Sequence, residues 1–166
     1  RTGICFTADF VDQLADEPRI VALKESSKNW LLLSEIIRRC KDRITILAGY
    51  APLLGLAAIT EGALGFVDSA APVVGSLMID FYDAASAGDI EKARPLQIEL
   101  AKINKGMFGI GTFPAANKAA LDMLSRPGGW TRDPIKSLND EQRAQVRQVL
   151  ITAGVLPAED ALRATA

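Results

Sequence analysis

Residues 20–29 read Ile-Val-Ala-Leu-Lys-Glu-Ser-Ser-Lys-Asn, "IVALKESSKN". The first four residues form a short apolar run suited to a buried strand. Lys24 then ends the run, and small polar residues follow it. Two further runs have the same character, at residues 44–47 ("ITIL") and 65–67 ("GFV"). A helical pattern precedes each run and another follows it. Residues 7–15 form the first, with Thr7 placed to cap it. Residues 30–40 carry apolar side chains at 30, 33, 36, 37 and 40, which is helical spacing. Residues 52–60 read as a largely buried helix that Gly62 stops. Strands spaced by one intervening helix are most economically paired in parallel, because a parallel pair needs a crossover connection.

Beyond Pro72 the pattern turns wholly helical. Residues 73–87 predict one helix, ending at Ala87-Gly88-Asp89. Asp89 can cap the next, where Ala93, Leu96, Leu100 and Ile103 recur at intervals of three and four. Pro95 lies inside that pattern and predicts a kink or a late start. Residues 105–112 are glycine-rich and read as a loop, 114–124 as a helix and 126–134 as a turn-rich connector. Ser137-Leu138-Asn139 leads into a last amphipathic helix ending near Gly154. The tail 157–166 is small and polar and is expected to fray. Three parallel strands alone leave two open edges, and buried parallel strands need neighbours. The pattern therefore reads as the second part of a larger fold.

The chain has 166 residues, enough for one domain with a sizeable core. Apolar residues make up 49% and charged residues 23%, the balance of a globular protein. The net charge of -1, with lysine and arginine spread along the chain, argues against a nucleic-acid partner or a basic membrane patch. The longest apolar stretch, residues 51–58, is interrupted by Pro52 and Gly55 and is too short to span a bilayer. No signal peptide is visible. Cys5 and Cys40 lack metal-ligand spacing and suit a reducing, cytoplasmic setting. The chain contains no histidine, which removes the commonest general base, serine–histidine triads and most zinc sites. Any catalysis falls to lysine, tyrosine, carboxylates or hydroxyls. The chain opens on Arg1 without an initiator methionine, so the expected N-terminus lies upstream.

Lys24 admits two readings. A lysine at a strand end commonly lays its stem on apolar surface and keeps its charge in water. Alternatively a partly desolvated amine, neutral because burial disfavours the ammonium, attacks a ketone and forms a Schiff base that serves as an electron sink. In a parallel α/β barrel the C-terminal strand ends line the mouth of the active site. Lys24, Gly49 with Tyr50, and Asp68 with Ser69 stand at three successive strand ends.

The ordered set "RTG" (1–3), "IVALKESSKN" (20–29), "ITILAG" (44–49), "GALGFVDSAAPV" (62–73), "GDIEKARPLQIEL" (88–100), "PAANKAAL" (114–121) and "TRDPIKSL" (131–138) resembles the C-terminal half of the dihydrodipicolinate synthase and N-acetylneuraminate lyase family. These are TIM-barrel, pyruvate-dependent class I aldolases. The resemblance covers essentially the whole chain. It implies an α/β fold comprising barrel strands 6–8 and an all-helical C-terminal extension. Residues 1–73 would be the partial barrel, and 74–166 the last barrel helix with the C-terminal helical region. It also implies that Lys24 is the Schiff-base lysine of a "K-E-[AS]-[ST]" motif. Arg1, in Arg1-Thr2-Gly3, matches an arginine that binds a substrate carboxylate, which suits a planar guanidinium. Gly49 matches a glycine that lets backbone approach the keto acid. Val67 matches a residue whose main chain contacts pyruvate. Tyr50 and Asp68 depart from the family pattern. Either they reshape the part of the pocket that selects the second substrate, or they face away from it.

The activity implied is that of a Schiff-base lyase acting on pyruvate or a 2-keto acid, with an aldehyde as the second substrate. Arg1-Thr2-Gly3 favours the synthase branch. A 2-keto-3-deoxy sugar acid aldolase or dehydratase is the alternative, kept open by the hydrogen-bonding groups of Tyr50 and Asp68. N-acetylneuraminate lyase usually lacks the arginine. A further class is a non-catalytic half-barrel that binds a keto acid. No metal or organic cofactor is implied, and the partners expected are small molecules and further copies of the chain, as a tetramer or dimer. The family's proton-relay tyrosines and threonine and its keto-acid loop match nothing in this sequence. The chain is thus expected to be part of a longer protein, or else a half-barrel stabilised by self-association.

Overall fold

The computed structural model describes residues 3–157. The elements run α1 (Ala8–Leu14), β1 (Ala22–Glu25), α2 (Trp30–Cys40), β2 (Thr45–Ala48), α3 (Ala51–Glu61), β3 (Gly65–Phe66), α4 (Ala71–Val74), α5 (Ser76–Ser86), α6 (Ile90–Met107), α7 (Phe113–Met123) and α8 (Asp140–Thr152). The described residues divide into two compact units, one of residues 3–68 and 79–97, the other of 69–78 and 98–157. Among them no helix is long and apolar enough to cross a membrane.

The first unit holds a parallel sheet in the order β1-β2-β3. Its register pairs Ala22 with Thr45, Lys24 with Leu47 and Ala48 with Phe66. The expected strands are therefore present, the first two displaced toward the C-terminus. The Ile20 N–H donates to the Glu17 carbonyl (2.9 Å) and the Ile44 N–H to the Cys40 carbonyl (3.0 Å), so both residues close the preceding turn. The displacement sets Lys24 inside β1 rather than just after it. Pairing extends past β3 by one bond, from the Val67 N–H to the Ala48 carbonyl (3.0 Å).

One face of the sheet carries the core. Side chains alternate along a strand, so Leu23, Ile46, Ala48 and Phe66 share a side. They pack with Ala8 and Val11 of α1, Leu33, Ile36, Ile37 and Cys40 of α2, and Ala58 of α3. Each fully buried leucine or isoleucine is worth about 1.5–3 kcal/mol, which makes the stripe on α2 the main anchor of the unit. Helix α2 spans the expected residues. Asn29 caps it by accepting from the Leu32 N–H (3.3 Å), and Arg38 and Arg39 sit in its last turn, where cations suit the helix dipole. Thr7 caps α1 as its position predicted, accepting from the Phe10 N–H. Gly62, at φ +114°, ends α3 as expected, its N–H reaching the carbonyls of Ala58 and Ile59. Phe81 of α5 is fully buried and lies against Gly55 and the Phe66 ring, whose centroid is 5.5 Å away.

The helix expected over residues 73–87 is broken in two. Gly75 adopts φ +58°, ψ −124°, a conformation that separates α4 from α5. Arg126 stitches the break, its Nη1 donating to the Pro72 carbonyl at 2.6 Å. Pro95 neither delays nor ends α6, which starts at Ile90 with Asp89 accepting from the Lys92 N–H (3.0 Å). The loop expected from residue 105 begins after Met107. That side chain is 2% exposed and continues the buried series Leu100, Ile103, Met107, so burial outweighs the local glycine. In the second unit α7 packs on α8, which opens on a reciprocal cap between Asn139 and Gln142. The part of the tail from 158 onward lies outside the described residues.

Candidate functional site

Lys24 stands on the sheet face away from the core, because Leu23 and Glu25 on either side of it point inward. Its side chain is exposed. Residue 24 also borders an open cleft of about 390 Å³ beside β1, walled by Gly3, Phe6, Val11, Glu25, Leu32 and Ile36 and so lying on the side of α1 and α2. Of the residues proposed from sequence, Gly3 and Lys24 both border this cleft. Arg1 and Thr2 lie outside the described residues.

The turn after β1 is tightly bonded. Glu25 is buried, at 7% exposure, and its Oε1 accepts from the Ser27 N–H at 2.6 Å. Among the described residues its Oε2 has no hydrogen-bond partner. The Ser27 hydroxyl accepts from the Asn29 N–H at 3.0 Å, and Asn29 caps α2. This chain of short side-chain bonds holds Lys28 at φ +68°. Sequence reading passed over Glu25 and Lys28. Strand alternation could have exposed the first, since a glutamate next to an outward lysine must turn toward the core.

Gly49 follows β2 directly. Its N–H donates to the Glu25 carbonyl at 2.6 Å. A Cβ there would overlap Ser26 Oγ and stand 2.8 Å from the Glu25 carbonyl oxygen. Gly49 thus lets the ends of β1 and β2 close on each other. Tyr50 comes next at φ +55°, ψ +50°, as the N-cap of α3 without a side-chain capping bond. Asp68, after β3, supplies that function from a distance. Its Oδ2 accepts from the Ala51 N–H at 3.2 Å, placing a carboxylate at the positive end of α3. The Asp68 carboxylate is thus directed at the start of α3. Val67 is 45% exposed.

The Lys28 Nζ lies 4.5 Å from the centroid of the Tyr50 ring. Both residues occupy the left-handed region without being glycine. Each such residue costs about 1–3 kcal/mol. An exposed cation–π contact contributes about 0.5–1 kcal/mol, so the contact does not offset the strain.

The profile of the dihydrodipicolinate synthetase family matches residues 1–153. The 4-hydroxy-tetrahydrodipicolinate synthase of Thermodesulfovibrio yellowstonii is 33% identical over 156 residues, which are 94% of this chain and 53% of the relative. That of Archaeoglobus fulgidus is 35% identical over 150 residues, 90% of this chain and 51% of the relative. A crystal structure of a dihydrodipicolinate synthase superposes with a TM-score of 0.83 at 34% identity, covering 94% of this chain and 53% of that one. The enzyme from Cyanidioschyzon merolae, solved with lysine bound, gives a TM-score of 0.83 at 31% identity over 94% of this chain and 52% of its own. The chain spans about half the length of the curated relatives it matches. It carries three parallel strands of the partial barrel that these structures share with it. By the extent of these matches, the chain belongs to the dihydrodipicolinate synthetase family.

Proposed function

We propose that this chain is the lysine-bearing half of a Schiff-base lyase that joins pyruvate, or another 2-keto acid, to an aldehyde, or reverses that reaction. Supporting this is the position of Lys24: the C-terminal half of a parallel strand, on the face opposite the packed core, in a chain of this family. Its Nζ adds to the ketone carbon, and the carbinolamine loses water to give an iminium ion. The iminium draws electrons from the adjacent carbon, which gives up a proton and attacks the aldehyde carbon as an enamine. Hydrolysis returns the amine. Residues 1–73 supply the barrel portion and the site, with Arg1, Thr2 and Gly3 toward the second substrate. Gly49 and the Val67 main chain border the keto acid, and Tyr50 and Asp68 shape the rim. The assembly is a homo-oligomer working on small molecules in the cytoplasm.

The exposure of Lys24 favours a second reading, in which the chain alone binds a keto acid without turning it over. Borohydride reduction in the presence of pyruvate, followed by intact-mass measurement and peptide mapping, tests both. A reduced pyruvate adduct on Lys24, absent from Lys24→Arg, is expected. Ligand-dependent stabilisation without an adduct would support the second reading instead. An adduct on other lysines, with Lys24 untouched, would overturn the Schiff-base assignment.

A further inference from the structure

We propose that the cleft bordered by α7, α8 and the connector between them binds a small aromatic carboxylate, with Arg143 taking the carboxylate and Trp130 the ring. The cleft belongs wholly to the second unit, whereas Lys24 belongs to the first, so the site is independent of the Schiff-base reading. Its volume is about 190 Å³. Drug-sized ligands fill about 300–1,000 Å³, so the occupant is smaller than these. The groups with chemistry on its border are Lys118, Asp122, Trp130, Thr131, Ser137 and Arg143.

Two of these groups are already engaged. Lys118 and Asp122 stand one turn apart on α7 and share a face. The Lys118 Nζ donates to the Gly128 carbonyl at 2.6 Å, and the Asp122 Oδ1 accepts from the Gly129 N–H at 3.0 Å. A Cβ at Gly128 would overlap the Lys118 carbonyl, so the connector lies flush on α7. The two charges offset each other while they hold it there. Trp130 follows this clamp directly and is 80% exposed, the highest value among the described large apolar side chains. Arg143, on α8, is partly buried, and among the described residues its guanidinium has no hydrogen bond or ion pair. A charge drawn from water without a partner is unfavourable, so this guanidinium suits an incoming anion. The Thr131 and Ser137 hydroxyls share one bond at 3.3 Å, which leaves one hydroxyl hydrogen to donate. The uncompensated charge is thus single and positive, and the unspent groups are donors. A carboxylate matches both, because the guanidinium fork grips it through two parallel bonds. A phosphate dianion would carry a second charge with no counterpart, beside Asp122. The open indole face gives a flat apolar body a surface to stack on.

Titration calorimetry on the full chain compares benzoate with benzamide, which lacks the charge, with acetate, which lacks the ring, and with phenyl phosphate. The native chain is expected to bind benzoate about tenfold more tightly than benzamide, the worth of one charge-assisted hydrogen bond. It is expected to bind benzoate about fivefold more tightly than acetate, the worth of one aromatic contact. Arg143→Gln should lose the preference over benzamide, and Trp130→Ala the preference over acetate. Glutamine has nearly the helix propensity of arginine and Trp130 is exposed, so both variants should fold, which circular dichroism checks. Should Arg143→Gln not fold, Arg143→Lys, which keeps the charge and loses the fork, is expected to show a reduced preference over benzamide. Equal affinity for benzoate and benzamide on the native chain, or a preference that survives in Arg143→Gln, overturns the site. Tighter binding of phenyl phosphate overturns the choice of carboxylate, and equal binding of acetate overturns the role of the ring. Absence of benzoate binding, with or without a dimer that Trp130→Ala dissociates, overturns the proposal as a whole.

Discussion

Replacing Gly49 by alanine should separate the ends of β1 and β2. The added Cβ would overlap Ser26 Oγ and sit 2.8 Å from the Glu25 carbonyl oxygen, which is backbone and cannot swing aside. Overpacking of this kind costs about 1–3 kcal/mol. Loss of the Gly49 N–H bond to Glu25 adds about 0.5–1.5 kcal/mol. Against this, alanine restricts the unfolded chain and contributes about 0.4–1 kcal/mol in the other direction. The net expectation is a loss of about 2–3 kcal/mol, or roughly 4–12 °C in Tm for a chain of this length. Denaturant unfolding, followed by the signal of Trp30 at the head of α2, measures it. Ser26→Ala in the same background should restore part of the loss, because it removes the hydroxyl overlap and leaves the carbonyl contact. A Gly49→Ala chain within about 0.5 kcal/mol of the native one, the usual size of a neutral surface change, would refute the close approach of the two strand ends.

Asp68→Ala should cost about 1 kcal/mol in denaturant unfolding, the worth of an N-terminal cap, and Asp68→Asn less, since an amide oxygen still accepts from Ala51. Cys5 is exposed and Cys40 fully buried, so a thiol reagent should label the first at once and the second only on unfolding. Burial also pushes the Cys40 thiol up from its ordinary value. Its folded pKa lies above the unfolded one, so the stability it confers is complete below the unfolded pKa and falls as pH rises from that value through the folded one. Urea unfolding across the alkaline range should show a decline that Cys40→Ala reduces.

Much of the first unit was legible because its signals are local and agree with one another. Thr7 and Gly62 bound helices by chemistry carried in a single side chain or its absence. The apolar spacing of α2 matches the face it buries. Strand limits were less legible, because Ile20 and Ile44 are apolar but spend their N–H groups on the preceding turns, which apolarity does not reveal. Gly75 was read as a helix interior, and only the carbonyl bonds from Arg126, 51 positions away, explain how a break there is accommodated. Lys24 could be picked out by its place at the end of an apolar run. Lys28 could not, since a backbone angle and a partner 22 residues distant give it its setting.

The alternation within β1 has a consequence for how this sequence can change. Lys24 faces outward and Glu25 inward only because of the pairing of Ala22 with Thr45 and Lys24 with Leu47. Inserting or deleting one residue within the strand would exchange the two, sending the amine toward α2 and the carboxylate to the opposite face of the sheet. Substitution can explore this segment one side chain at a time, whereas a change in its length would remove the amine and disorder the core in a single event.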